Sequence, residues 1–393
     1  MPKVEIKKVA SFKDWMESYA WIPNYSFRPT PPLMDEETQR GWFEKRVGVT
    51  HFALYEDGKA AALATSLPMK QNIRGKIFSM SGLFNVASHP AYRRKGYAHQ
   101  VILALLKDLR SSFPVSTLYP FRESYYERLG YISFPQPLKA SFKSIELLPI
   151  LRNEVEGKVE VLLESEGKAE YLDFIKKIQQ KKHGMGTFNH PGMPDKKSES
   201  WIALAKVEGK TVGLMSYTNE GREVTKFKMK IRRFYYHNPQ GLYLLLDWIA
   251  RHIDQTNDIE IWLPADEKPT LWLADLDIEL SSAWKPGMAR ILNIADIGGV
   301  EVGEGQFTAQ INDPFCTWNE GVWKFSSVNG KLQVSPGNKP DCQISIQALT
   351  SLLYGTHKPD FFQYRGWGNP SKAFQAEMTT MFPGKMPFLH EMF

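Results

Sequence analysis

The chain has 393 residues, 42% of them hydrophobic and 23% charged. That length is more than one ordinary core accommodates, so two or three domains are expected, and the composition excludes a disordered or fibrous chain. The formal net charge of +6, without any long Lys/Arg block, suits an anionic ligand and gives no ground for a nucleic-acid partner.

Two cysteines, Cys316 and Cys342, cannot build a disulfide framework and form no Cys-x-x-Cys pair. Met1 to Lys13 lacks the apolar core of a signal peptide, and no stretch approaches the roughly 20 apolar residues of a membrane span. A cytoplasmic protein is the expectation. No metal-ligand spacing is present: His183 and His190 sit in a Gly/Pro-rich loop without Cys or His partners and are expected to be solvated.

In chain order, residues 51–69 read as two strands around Asp57-Gly58, and 77–88 as a third, buried strand. A turn with Pro90 and Gly96 follows. Tyr97, Val101, Leu105 and Leu109, with Ala98, Ile102 and Leu106, then give the i, i+4 spacing of an amphipathic helix. Pro114 ends it. A strand at Val115–Tyr119 and a helix at Glu123–Leu129, closed by Gly130, complete the first third.

The middle third repeats this order. A hairpin over 201–218 turns at Glu208-Gly209-Lys210; a strand at Phe227–Tyr236, a turn at His237–Gly241, a helix at Leu242–Ile253 and a strand at Ile259–Leu263 follow. This points to an internal duplication at the level of fold. Beyond the Pro/Gly mark at Trp284–Gly287, strands at Ala289–Ile297 and Gln306–Ile311, a hairpin about Asn329-Gly330 and a strand at Cys342–Ile346 are expected. Helices near Gln347–Tyr354 and Pro370–Met381 close a small α+β domain. The fold class is mixed α+β, with domains at 1–150, 151–286 and 287–393.

The segment that carries chemistry is Val86-Ala87-Ser88-His89-Pro90-Ala91-Tyr92-Arg93-Arg94-Lys95-Gly96-Tyr97-Ala98. A strand ends and a basic turn enters a helix directly. The first N–H groups of that helix lack intrahelical acceptors, and its dipole adds positive charge there. A pyrophosphate can accept several such hydrogen bonds at once. Gly96 permits close approach, while Arg93, Arg94 and Lys95 add charge.

Arg93-x-x-Gly96-x-Ala98 resembles the acyl-CoA-binding motif Q/R-x-x-G-x-G/A of the GNAT superfamily of N-acetyltransferases. Ser124-Tyr125-Tyr126-Glu127-Arg128-Leu129-Gly130-Tyr131 resembles the Y-x-x-x-G-F/Y ending of that fold. The resemblance implies tandem GNAT-like domains, each a mixed central sheet with flanking helices, and acetyl-CoA as co-substrate without a metal. It implies cofactor contacts from Val86, Ala87 and Ser88 and from Arg93, Arg94, Lys95, Gly96, Tyr97, Ala98 and His99. It further implies a splayed strand pair for the pantetheine arm and Tyr126 as general acid to the departing thiolate. Tyr125 is the neighbouring alternative; adjacent helical residues point about 100° apart, so one of the two serves. The middle copy lacks the cationic turn and is expected to be structural.

The whole chain resembles the enhanced intracellular survival (Eis) family, with two fused GNAT-like domains and a sterol-carrier-protein-like domain. That resemblance implies a hexamer, a C-terminus reaching the active site with the Phe393 carboxylate as base, and an aminoglycoside-type amine acceptor. A protein or peptide lysine is the alternative acceptor, and a noncatalytic lipid- or partner-binding protein the alternative function. The apolar tail Met386–Phe393 supports a buried terminus. The acceptor pocket is expected among Trp15, Trp21, Tyr25, Phe27, Trp42 and Phe43, with Glu17, Asp35, Glu36 and Glu37 interleaved.

Overall fold

The computed structural model describes residues 2–28, 30–45, 47–189 and 200–393. The chain divides into two compact units. One gathers the chain up to Phe134, a segment beginning at His183 and everything from Gly287 onward. The other holds Pro135–Lys182 and the segment ending at Pro286.

In the first unit, β1 (Val4–Lys8) precedes three short helices, α1 (Phe12–Ser18), α2 (Ile22–Phe27) and α3 (Glu36–Glu44). Then come β2 (Thr50–Glu56), β3 (Lys59–Ile73), β4 (Lys76–Ser88), α4 (Tyr97–Leu109), β5 (Val115–Leu118) and α5 (Glu123–Glu127). The sheet runs β1-β2-β3-β4-β5, then Met288–Ile291, then Ile132–Ser133, and Gly186–Phe188 pairs with β3. The first four strands are antiparallel neighbours, and β5 lies parallel to β4.

Local chemistry accounts for these elements. Asp57 and Gly58 take φ of 49° and 79°, the left-handed pair that a two-residue hairpin turn needs. Ser11 caps α1 by accepting from Asp14 N–H at 3.1 Å, and Asp35 caps α3 by accepting from Thr38 N–H at 2.7 Å. The stripe Val101, Ile102, Leu105 and Leu106 on α4 is fully buried among Leu54, Ala61, Ala62, Ala64 and Leu83. Burying each such side chain contributes roughly 1.5–3 kcal/mol.

From Gln306 the same unit carries a four-stranded sheet in the order 331–336, 321–328, 306–312, 342–345, the last pair parallel. Its hairpin turns at Asn329 and Gly330, with φ of 52° and 71°. The helix Ile346–Tyr354 starts at the Ser345 cap and is buried along its length.

In the second unit the sheet runs 279–282, 138–143, 256–263, 227–236, 210–220, 201–207, 158–163. Helix Pro239–Ala250 and its core of Leu244, Leu245, Leu246 and Ile249 cover it. The order of hairpin, strand, turn, helix and strand is the one seen in the first unit, so the fold is repeated.

The boundaries expected at 150 and 287 do not follow the sheets. Leu138–Lys143 pairs with Thr256–Leu263, although it follows the first repeat in sequence. Met288–Ile291, which follows the second repeat, pairs with β5. Pairing at an open strand edge decides membership, not chain order. The strand expected over 289–297 accordingly ends at Ile291 and passes into a 3-10 turn at Ile294–Asp296.

Candidate functional site

β4 and β5 pair only at Met80↔Val115, Ser81↔Ser116 and Gly82↔Thr117. Leu83–Ser88 runs on without a β5 partner, still paired with β3 on the other side. The register shifts between Leu63 and Thr65, opposite Asn85, whose φ is 50°. Such a bulge re-aims a strand, and it lies where β4 leaves β5. Val86, Ala87 and Ser88 therefore sit at the open end of the gap.

Beyond Ser88, His89 caps the 3-10 turn Pro90–Tyr92 by accepting from Ala91 N–H at 3.2 Å. Arg94 and Gly96 both take positive φ, 66° and 79°. A Cβ on Gly96 would meet no protein atom within 4 Å. The glycine is thus required by its backbone conformation, and the space above it is open. Helix α4 begins at Tyr97, and Gln100 N–H is the first to find a backbone acceptor, Gly96 O at 3.1 Å. The preceding N–H groups of Tyr97, Ala98 and His99 are the donors that an anion can use.

The cations of this turn are not equivalent. Arg93 and Arg94 are exposed and form no ion pair among the described residues; Arg93 Nε donates to Ser88 O at 3.4 Å. Lys95 instead sits 2.7 and 2.9 Å from the two Glu56 carboxylate oxygens. That ammonium holds the Glu56 carboxyl below its usual range, and Glu56 raises Lys95 in return. The Tyr97 hydroxyl donates to the same carboxylate. The His99 ring packs edge-on against Phe315 at 5.0 Å, and burial lowers its pKa. Tyr97 and His99 therefore direct their side chains into the protein, Lys95 is exposed but ion-paired with Glu56, and Arg93 and Arg94 form no ion pair among the described residues.

Helix α5 carries the tyrosines. Tyr126 is 4% exposed, and burial pushes its hydroxyl well above the ordinary tyrosine range. Its ring stands at 88° to Tyr125, 5.1 Å away, and Phe121 leans on both. No hydrogen-bond partner for the Tyr126 hydroxyl occurs among the described residues. The Tyr125 hydroxyl is also buried without a partner. Both are protonated donors with an open valence.

The chain end is packed, not frayed. Phe388 N–H donates to His183 O at 3.0 Å, and the Tyr119 hydroxyl donates to Leu389 O at 3.1 Å. Leu389 is 5% and His390 1% exposed. The Phe393 ring stands edge-on to Tyr119 at 5.8 Å. His183, expected to be solvated, is 2% exposed. Arg74 N–H donates to its Nδ1 at 3.0 Å, so Nε2 carries the hydrogen and donates to Tyr354 O at 3.0 Å. Contacts from distant strands and helices bury it. His190 lies outside the described residues.

A cavity of about 250 Å³ opens beneath the N-terminal helices, walled by Trp15, Tyr19, Asn24, Phe27, Gln39 and Trp42, with Arg28 and Asn85 also at its lining. Trp15 stacks on Tyr19 at 4.6 Å. Three of the aromatics expected there, Trp15, Phe27 and Trp42, do line it. Trp21 and Tyr25 instead stack on each other at 4.7 Å, and Phe43 packs on Phe12 and Trp15. None of Glu17, Asp35, Glu36 and Glu37 is in the wall: Asp35 caps α3 and Glu36 pairs with Arg40 at 3.1 Å. Asn24 and Gln39, which also line the cavity, have no signal in the sequence pattern. Their amide nitrogens donate to Ala20 O at 2.6 Å and Met34 O at 2.8 Å, while Asn24 Oδ1, Gln39 Oε1 and Trp15 Nε1 are buried without partners among the described residues. These three buried atoms belong to residues of one cavity wall, a departure from the usual pairing of buried polar groups.

Comparison with known proteins adds family and fold. Residues 8–133 match an acetyltransferase (GNAT) domain, residues 186–291 a second acetyltransferase (GNAT) domain, and residues 293–390 a sterol carrier protein domain. No curated protein matches the chain by sequence. Among solved structures, a GCN5-related N-acetyltransferase from Anabaena variabilis is 22% identical, with TM-score 0.85 over 99% of this chain and 100% of its own. A probable N-acyltransferase from Enterococcus faecalis is 19% identical, with TM-score 0.84 over 100% of both chains. Eis1 from Mycobacterium abscessus is 14% identical, with TM-score 0.79, again over 100% of both. At these identities the likeness is one of fold.

Proposed function

We propose that this N-acetyltransferase, built from two GNAT domains and a sterol carrier protein domain, moves an acetyl group from acetyl-CoA to an amine at the gap between β4 and β5. The observation that carries this is the strand pair that parts after Gly82↔Thr117 and leads into a basic turn with open N–H donors. The pyrophosphate is assigned to the N–H groups of Gly96, Tyr97, Ala98 and His99, with Arg93 and Arg94 as counter-charges and Lys95 as support through Glu56. The backbone of Val86, Ala87 and Ser88 is assigned to the pantetheine arm.

The co-substrate supplies an acetyl thioester. The acceptor must arrive as a neutral amine; its nitrogen forms the new C–N bond as the C–S bond breaks. Tyr126 is assigned as the donor that gives the departing sulfur its proton. A buried tyrosine with a raised pKa remains protonated across the working range, which a donor requires. The surplus proton of the amine is assigned to the Phe393 carboxylate, directly or through a water. The tail contacts at Phe388, Leu389 and Phe393 support a fixed terminus, without which a terminal carboxylate serves no such role.

The resemblance to the Eis type suggests an aminoglycoside acceptor and a hexamer. The cavity favours a second reading, a smaller monoamine bound in its neutral form. Its volume lies just below the range of roughly 300–1,000 Å³ usual for drug-sized ligands, and Trp15, Asn24, Arg28 and Gln39 stand in its wall where carboxylates were expected. Thiol release from acetyl-CoA over a panel of aminoglycosides, lysine peptides and small monoamines tests both. Inertness towards every amine overturns the acetyl-transfer reading.

A further inference from the structure

The turn that carries Tyr126 is held by side chains more than 150 residues further along the chain. Helix α5 has only five residues, too few to fix itself, because an isolated helix of that length is unstable in water. The closing turn supplies its backbone bonds, Leu129 and Tyr131 N–H donating to Tyr126 O at 2.9 and 3.1 Å and Gly130 N–H to Glu127 O at 3.0 Å, and side chains from further along add to them. Gln347 Nε2 donates to Glu127 O at 2.9 Å. Arg290 Nη1 donates to Leu129 O. The Glu127 side chain is itself paired with Arg365, whose guanidinium lies 4.8 Å over the Trp367 ring.

Arg290 is fully buried and anchored in turn. Its Nη2 meets Asp313 Oδ2 at 2.5 Å, and Asp313 also accepts from Asn319 Nδ2 at 2.9 Å and Cys316 N–H at 3.2 Å. The packing is close: a Cβ on Gly130 would stand 2.9 Å from both Arg290 Nη1 and Ile346 Cγ2. Asp313, Gln347 and Arg365 all lie within the stretch that matches the sterol carrier protein domain.

We propose that this domain acts as a positioning clamp on the acid-bearing turn, with Gln347, Arg365 and the Asp313-anchored Arg290 as positioning residues for Tyr126. The proposal rests on the assignment of Tyr126 as acid. Three groups grip Glu127–Leu129 on its carbonyl and carboxylate side, fixing the backbone next to the tyrosine. Rate is sensitive to such placement, since a displacement near 1 Å can cost about a hundredfold. The domain thus contributes to turnover without touching the acetyl group.

The test is a double-mutant cycle on the full chain. Gln347→Ala with Arg365→Ala removes two exposed or half-exposed contacts and leaves the buried Arg290–Asp313 pair intact. The expected result is a fall in kcat of about tenfold or more, an unchanged KM for acetyl-CoA, and recovery with Arg365→Lys in the Gln347 wild-type background. In a Tyr126→Phe background the same pair should cost almost nothing more, because coupled residues are not additive. An equal fall in both backgrounds, or an unchanged kcat, overturns the clamp. A Tyr126→Phe variant with full kcat overturns the acid assignment instead. Should the double variant fail to fold, Gln347→Ala alone carries the same cycle.

Discussion

The ring of Phe393, the last residue of the chain, lies against Gly82, the last residue of β4 to pair with β5: a Cβ on Gly82 would stand 2.9 Å from Phe393 Cε2. The chain terminus and the opening of the strand gap therefore meet at one point. Gly82 is needed here for space, because no side chain fits between the strand and the ring. A terminus fixed at that place can lend its carboxylate to the gap.

Extending the chain beyond Phe393 should accordingly lower kcat/KM for the acceptor. A general base is worth about 10²–10⁴-fold, so a short C-terminal tag is expected to cost at least tenfold, with acetyl-CoA binding little changed. Gly82→Val should act in the same direction by displacing the ring. A tagged enzyme with unaltered kcat/KM in a steady-state assay would remove the base assignment.

Tyr126→Phe should reduce kcat by about a hundredfold, the usual scale for losing a general acid, and leave the KM for acetyl-CoA in place. Tyr125→Phe should be mild. Because burial raises the Tyr126 pKa, the wild-type rate should show no alkaline fall from this residue up to pH 10. The sign follows from its role: the donor is active when protonated, and a raised pKa extends that range upward. A large loss confined to Tyr125→Phe would transfer the role to its neighbour.

What was legible in the sequence was local. The hairpins at Asp57-Gly58 and Asn329-Gly330 and the stripe on α4 follow from adjacent residues, and they stand as expected. Long-range pairing was not legible. Leu138–Lys143 and Met288–Ile291 have ordinary strand sequences, and nothing in them names the sheet they join. His183 looked solvated because its partners Arg74 and Tyr354 are 109 and 171 positions away. Asn24 and Gln39 lie on short helices of six and nine residues, where a buried amide has no pattern of its own. The pairing of Lys95 with Glu56 has no local signal either, because Glu56 lies on β2, 39 positions back in the chain.

Replacing Arg93 and Arg94 with Ala should raise the KM for acetyl-CoA. Charge-assisted hydrogen bonds contribute about 1.5–3 kcal/mol each, so each exposed arginine, screened by solvent, should account for a several-fold rise that shrinks at high salt. Lys95→Ala should act differently, loosening Glu56 and Tyr97 and lowering thermal stability more than cofactor affinity. Titration of acetyl-CoA by calorimetry at two salt concentrations separates the cases. Equal effects from all three residues would show that Lys95 also reaches the phosphates.

Gln39→Leu should leave stability nearly level while weakening the acceptor. The variant loses the bond to Met34 O, worth about 1 kcal/mol, and removes an unsatisfied buried carbonyl that costs about 1–3 kcal/mol. If an acceptor N–H or O–H meets that oxygen, its KM should rise several-fold with no change in the KM for acetyl-CoA. Thermal melts and two-substrate kinetics check both halves. An unchanged acceptor KM would remove Gln39 from recognition.

Cys316 gives a prediction about pH and stability. It is fully buried, and burial is the main cause that pushes its thiol up to about 12. In the unfolded chain a thiol titrates near 8.5. The folded pKa is the higher one, so the stability it brings is complete below about pH 8.5 and declines as pH rises towards 12. At pH 9.5 the unfolded state has released a proton that the folded state keeps, which costs about 1.4 kcal/mol. Cys316→Ala should therefore lose less stability than the wild type between pH 7.5 and 9.5, whatever its starting level. Urea unfolding at the two pH values measures this. Equal losses in both proteins would show that the thiol has partly ionised in the fold.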